Sequence, residues 1–280
     1  MSVISHGAAD AVYSRMPSPK IWADCPVMGM LADPAKGFYL WDDFKNSSVG
    51  RALEDTDKLQ IHGDINWWSI SEGDAAGDVA IQSDDEGWLM LDQDGTDDDC
   101  TSIVSGGWDC GHIRLPLKGE RKRFWFETRI KVSTITNTDL AFFVGFLEPG
   151  LVAEAVPLGA APTAPADNDY LGFFVAEADG DDLTIIYNEA GAGTAQSDTG
   201  EITLAADTFV RVGFRLDVDT DTIHVYADGV DQGADAEIDI TTANFPSNTN
   251  VNMLFGITSG AAGADGDNLK IDWVRFAQEY

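Results

Sequence analysis

The sequence predicts an all-β fold: two antiparallel sheets packed as a sandwich, preceded by an extended N-terminal arm. The first observation is one hairpin, 208–230. In it Val210, Val212, Phe214, Leu216 and Val218 alternate with Arg211, Gly213, Arg215 and Asp217. A period of two sends the apolar set to one sheet face and the polar set to the other. Asp219-Thr220-Asp221 makes the turn, and Ile223, Val225 and Ala227 alternate again. Asp228-Gly229 then turns the chain once more, because glycine accepts positive φ. This reading centres the body on the hairpin, buries the even-numbered residues from Val210 to Val218 and leaves Arg211 and Arg215 far more exposed. The second observation is spacing. Runs of strand-forming residues recur about every ten positions, with Asp, Gly and Ser between them. The third is composition: 28 glycines and 10% aromatics in 280 residues suit a turn-rich β protein large enough to bury a sizeable core.

Residues 1–36 form the arm. Pro17, Pro19, Pro26 and Pro34 break any long helix there, yet Ile21, Trp22, Val27, Met28, Met30 and Leu31 are apolar. Asp10, Asp24 and Asp33 balance Arg15, Lys20 and Lys36, so the net charge of −31 lies entirely on residues 37–280. The body, 37–280, reads as one domain. It opens at Phe38-Tyr39-Leu40-Trp41-Asp42-Asp43-Phe44, and strands are expected at 58–62, 66–71, 78–83, 87–92, 100–105 and 111–117. The strongest run is 123–134, with Phe124, Phe126, Thr128, Ile130 and Val132 on one face. In 139–147 both alternating sets are apolar, which predicts a central strand covered on both sides. Residues 148–168 read as a long contact loop or lid rich in Ala and Pro. Strands resume at 169–177, 182–188, 200–204, 235–240, 251–258 and 268–277.

Such an acidic chain repels phosphate, which argues against a nucleic-acid partner. No apolar run is long enough to cross a membrane, and the first residues lack the basic region and apolar core of an export signal. The expectation is a protein made in a cytoplasm. Of Cys25, Cys100 and Cys110, one must stay unpaired; Cys100 and Cys110 can pair, or all three remain reduced thiols.

Three short stretches carry a family resemblance. Ile223-His224-Val225-Tyr226-Ala227-Asp228-Gly229 resembles the V-Y-x-D-G strand and turn of laminin-G-like and concanavalin A-like jelly rolls. Leu269-Lys270-Ile271-Asp272-Trp273-Val274-Arg275-Phe276 resembles their closing strand, and Trp41-Asp42-Asp43-Phe44 is similar to the D-D-F that opens many of them. The resemblance covers about 38–280 and implies a concanavalin A-like jelly roll, a fold shared by lectins, family-16 glucanases and non-catalytic adhesion or virion modules.

Each chemical constellation has a plain structural counterpart. Retaining glycoside hydrolysis needs two carboxyls roughly 5 Å apart. Family-16 enzymes place them on one strand in a motif like E-[I/L]-D-x-x-E or E-[I/L]-D-x-E. Here Glu237-Ile238-Asp239-Ile240 comes nearest, but Thr241 and Thr242 follow where an acid should, so it reads as an edge strand with solvated acids. Asp217, Asp219 and Asp221 imitate the start of an EF-hand loop, but Thr222 replaces its glycine and Asp228 its final Glu. Asp92, Asp94, Asp97, Asp98 and Asp99, and Asp179, Asp181 and Asp182, read as solvated turns that leave room for one structural calcium ion; no other cofactor or metal is expected. Trp67 and Trp68 are adjacent, so in a strand one faces outward and is a candidate carbohydrate platform; the alternative is core packing. Lys118, Arg121, Lys122 and Arg123 suit either a solvated turn or ion pairs with an acidic neighbour, such as another copy. His6, His62, His112 and His224 are isolated, and no P-loop, G-x-S-x-G or G-x-G-x-x-G is present.

A neutral apolar arm before an acidic β body resembles the arrangement of tailed-phage capsid decoration proteins. That resemblance implies a non-enzymatic virion component. It would dock through Ile21, Trp22, Val27, Met28, Met30 and Leu31 on a major capsid protein, another virion protein or a neighbouring copy in a homo-oligomer. A lectin-like module binding a surface glycan, a tail or fibre component and a divergent family-16 hydrolase are the alternatives. An exposed aromatic beside an amide would favour the lectin, and two inward carboxyls in a cleft the hydrolase.

Overall fold

The computed structural model describes residues 17–44, 48–49, 58–62, 66–72, 79–82, 88–93, 95–106, 111–149, 167–192 and 196–280. Residues 1–16 of the arm, 150–166 of the Ala- and Pro-rich loop, Asp94, Trp108 and Cys110 lie outside the described residues, and with Cys110 the Cys100–Cys110 pairing.

Two antiparallel sheets face each other. The first runs in the order β16 (Val230–Asp231), β15 (Thr222–Ala227), β14 (Val210–Asp217), β9 (Phe124–Val132), β19 (Asn268–Glu279), β6 (Trp88–Asp92) and β5 (Val79–Gln82). Two further strands join it: β1 (Gly37–Asp42) pairs with the second half of β19, and β17 (Ile238–Asp239) pairs with β15. The second sheet runs β13 (Gln196–Thr203), β12 (Asp182–Asn188), β11 (Tyr170–Val175), β10 (Leu140–Leu147), β18 (Asn250–Ser259), β7 (Cys100–Ser105), β4 (Trp67–Glu72), β3 (Lys58–His62) and β2 (Ser48–Val49). A short β8 (Ile113–Arg114) pairs with the start of β18.

The period-two reading holds at residue level. Val212, Phe214 and Leu216 are buried between the sheets, with Val210 and Val218 packed at the margin. Phe214 meets Phe124, Phe126 and Phe146 in a ring cluster with centroids 5.0 to 6.0 Å apart, within the favourable range for tilted pairs. All of β10 is buried, Phe142, Val144 and Phe146 inward and Phe143 and Leu147 outward. Two expectations change. The hairpin lies toward one edge, and the middle of the first sheet is β9 against β19, paired from Phe124↔Gln278 to Val132↔Leu269. Arg211 and Arg215 are half-buried rather than far exposed, because the arm lies over them.

The family-like stretches have structural work. Buried Asp42 accepts the Phe44 N–H (2.8 Å) and the Trp67 Nε1–H (2.9 Å), fixing the opening strand to the second sheet. Asp228 and Gly229 both have positive φ, 47° and 77°, the requirement of a two-residue hairpin turn. Asp272, at an irregularity in β19, pairs with buried Arg129 at 2.5 Å.

The arm is not extended over its described part. Pro19–Trp22 forms α1, with proline in its first turn, and Val27–Ala32 forms α2. Both fold onto the outer face of the first sheet. Ile21 and Met30 are 1% and 3% exposed and pack with Trp125, Tyr226 and Ala277, so this chain's own body occupies them. The physical reason is Glu127. This β9 carboxylate is fully buried, accepts the Ser18 N–H (3.0 Å), the Ser18 hydroxyl and the Trp22 Nε1–H (2.7 Å), and so binds the arm at its start. A second clamp follows: Asp24 accepts the Trp125 Nε1–H at 3.0 Å and lies 3.4 Å from Arg215 Nη1. Val27 is half-buried, whereas Met28 and Leu31 point outward, 78% and 61% exposed.

Candidate ligand cleft

Of the two tryptophans singled out for carbohydrate, Trp67 is fully buried, its ring against Phe44 and Phe255 and its N–H on Asp42. An enclosed ring offers no stacking face, so Trp67 is a core residue. Trp68 faces outward from the second sheet, opposite Val104 of β7 and partly buried at the margin of the apolar cluster on that face.

The concave site is elsewhere. Among the described residues β1 pairs only with β19, and along its other edge runs a cleft of about 410 Å³ lined by Phe38, Tyr39, Leu40, Trp41, Asn66, Gly106 and His112. One wall is thus the opening strand; the other is the end of the second sheet. Alternation in Phe38-Tyr39-Leu40-Trp41 turns Phe38 and Leu40 toward the core and Tyr39 and Trp41 to the outer face. There Trp41 stacks on Trp273 (5.5 Å, 13°), and the Arg275 guanidinium lies 4.6 Å from the Trp41 centroid and 4.7 Å from that of Trp22. Arg275 also donates to the Tyr39 hydroxyl oxygen at 2.6 and 3.1 Å. This cation–π stack makes the aromatic rim rigid. Opposite, Asn66 is exposed and its carbonyl accepts the Gly106 N–H.

His112 is held at the inner end. Its Nδ1 lies 2.8 Å from Asn252 Oδ1, so Nδ1 carries the proton, and its Nε2 is the acceptor for the Ser105 hydroxyl at 3.4 Å. Gly106 has φ +75°, and a Cβ there would lie 2.4 Å from the imidazole, so only glycine lets the ring lie against this turn. Desolvation lowers the His112 pKa below the ordinary histidine value, outweighing the Asn252 bond, and the imidazole is neutral at pH 7. Ser105, His112 and Asn252 are linked like a nucleophile, base and orienting residue. Ser105 is fully buried, however, and its oxygen already accepts the Met253 N–H at 2.9 Å. The array therefore fixes the His112 tautomer and ring.

A second hollow of about 150 Å³ adjoins on the far side of His112. It is lined by His112, Arg114, Glu120, Lys122, Asn250 and Glu279, among others. Its charges are paired in part: Arg114 and Lys122 lie 3.1 and 3.9 Å from Glu120, and Arg123, just outside the lining, lies 3.9 Å from Glu279. Of the basic cluster at this turn, Lys122 and Arg123 thus find acids within their own chain.

The remaining sequence candidates lie apart from the cleft. Asp239 is exposed and accepts the Thr241 N–H, which lowers its pKa, while Glu237 lies 2.9 Å from His224 at the β15 edge. Asp217 caps its own turn by accepting the Asp219 N–H, and Asp221 accepts the Gly119 N–H of a distant loop. Among the described residues no group of three or more His, Cys, Asp or Glu is arranged to hold a metal ion.

No protein-family model and no curated protein matches the chain. Solved structures do. A protein of unknown function from Shewanella oneidensis MR-1 aligns over 100% of this chain and 96% of its own, with TM-score 0.51 and 14% identity. The carbohydrate recognition domain of Emp47p aligns over 87% of this chain and 97% of its own, with TM-score 0.51 and 14% identity. A non-specific endo-β-1,3(4)-glucanase of family GH16 aligns over 88% and 96%, with TM-score 0.51 and 12% identity. At such identities the likeness is one of fold, and the fold of this chain is the concanavalin A-like jelly-roll sandwich.

Proposed function

We propose that the protein is a lectin-like, carbohydrate-binding module whose ligand lies in the cleft beside β1. The observation that carries this reading is the lining of that cleft. Aromatic Tyr39 and Trp41 stand with the exposed amide of Asn66 and the neutral imidazole of His112, and among the described lining residues none bears a carboxylate or ammonium group. Polyhydroxylated neutral ligands are recognised by such a set, in which apolar C–H faces meet rings and hydroxyls meet amide and imidazole groups. Hydrolysis needs two placed carboxyls, a different set from the one lining this cleft. Affinity electrophoresis in gels containing neutral β-glucan is the test. Retardation that is lost in Asn66→Ala supports the reading, and unretarded migration in a panel of neutral glycans overturns it.

A second reading, a virion decoration protein docked on a capsid protein, is favoured by the outward Met28 and Leu31 of α2. It predicts that Met28→Asp with Leu31→Asp abolishes incorporation into particles while the body stays folded; undiminished incorporation would refute it.

A further inference from the structure

The two hollows share one wall residue, His112, and the strand register places them end to end. Phe38, in the first hollow, is the cross-strand partner of Gln278, in the second, and the Phe38 ring meets the His112 ring edge-on at 6.4 Å. Gly37 pairs with Glu279, which continues the second hollow. From Trp41 to Gly37 the strand advances about 13 Å, longer than a single pyranose ring. Gln278 lines the second hollow, and its side chain is fixed there by bonds to the N–H and carbonyl of Arg114. In the second hollow, Asn250 adds an exposed polar residue beside the Arg114–Glu120 and Lys122–Glu120 ion pairs.

We infer that the two hollows form one groove for a neutral, linear oligosaccharide, with the aromatic first hollow holding one end and the Asn250–Lys122 hollow holding the units beyond His112. This rests on the carbohydrate reading above and extends it to a ligand class: chains bind better than single sugars. His112 is the positioning residue between the two, its ring fixed by Asn252 and Ser105.

Isothermal titration with a series of β-linked gluco-oligosaccharides, from disaccharide to hexasaccharide, tests this on the full chain. Affinity should rise about tenfold or more with length and then level off. Asn66→Ala should weaken every length, whereas Asn250→Ala should remove only the gain made by the longer chains. Affinity independent of length, or an Asn250→Ala profile identical to wild type, overturns the extended groove and leaves the first hollow as a simple sugar site. Absence of binding at every length overturns the carbohydrate reading itself.

Discussion

On the outer face of the first sheet, Glu127, Arg129, Arg215 and Arg275 stand among Trp22, Tyr39, Trp41, Trp125 and Trp273. On the outer face of the second, Phe143, Leu147, Tyr170, Phe174, Ile186 and Leu254 stand together. The second set is buried; in the first, Trp125, Glu127, Arg129 and Trp273 are buried and Trp22, Tyr39, Trp41, Arg215 and Arg275 are half-buried. The apolar face is stabilised by area, which is tolerant of direction. The first face is stabilised by directional bonds to a buried carboxylate and a stacked guanidinium, and these admit one placement of the arm. A buried charge with all its donors in place is costly to break, because removing one partner leaves the others unsatisfied. The first face should therefore fail locally, by release of the arm, and the second globally.

The largest effect is expected beneath both faces. Phe214→Asp would bury an unpaired charge among Phe124, Phe126 and Phe146. It should cost on the order of 5 kcal/mol and abolish folding; a soluble, cooperatively melting variant would refute the register of β14.

Phe174→Ala should cost about 3 kcal/mol of global stability in urea, with no change in the arm. Glu127→Ala leaves the Ser18 N–H, Ser18 hydroxyl and Trp22 N–H without their acceptor and should cost about 2 kcal/mol. Its signature is local. Cys25 lies in the arm, and burial, with the Asp24 charge beside it, pushes its thiol up to about 12, so alkylation mapped to Cys25 is slow while the arm is docked. Glu127→Ala should speed that alkylation about tenfold or more, and Phe174→Ala should not. Equal acceleration by both would erase the distinction between the faces.

A smaller effect is set by pH. Burial raises the Glu127 pKa, offset in part by its bonds to Ser18 and Trp22. The folded state then holds that proton more tightly than the unfolded chain, so this group's contribution is full at low pH and declines as pH rises through the ordinary carboxylate range toward the folded value. His112 has the opposite sign. Its lowered pKa means that its contribution is full above about pH 6.5 and is lost as pH falls below that value. Urea midpoints between neutral and mildly acidic pH should show the His112 slope in the wild type and a flatter one in His112→Gln; identical slopes would contradict the lowered pKa of the imidazole.

What was legible followed from local periodicity. Alternation in 210–218 and 124–132 identified the inward residues because each strand meets the same core along its length. The same alternation marked Trp125, Glu127 and Arg129 as outward but not as buried. Over Glu127 the cover comes from Ser18 and Trp22, 109 and 105 residues away in the chain, and no local pattern encodes it. The arm misled for a related reason. Its helices of four and six residues are too short to show a period, so inward Ile21 and Met30 could not be told from outward Met28 and Leu31. Trp67 looked equal to Trp68 until Asp42 supplied a buried partner for its N–H. The cleft had one visible signal, the outward Tyr39 and Trp41 of the opening strand. Asn66, Gly106 and His112 reach it only when the two sheets close.

The central claim is that ligand meets the β1 edge rather than either outer sheet face. Two-dimensional amide and indole NMR during titration with a neutral β-gluco-oligosaccharide tests it most directly. Saturable shifts are expected at the Trp41 indole, the Asn66 side chain and the backbone of 38–41, 106 and 111–112, with the Trp68 and Trp125 indoles unmoved. Shifts concentrated instead at Trp68, Tyr170 and Phe174 would contradict it and move the site to the outer face of the second sheet.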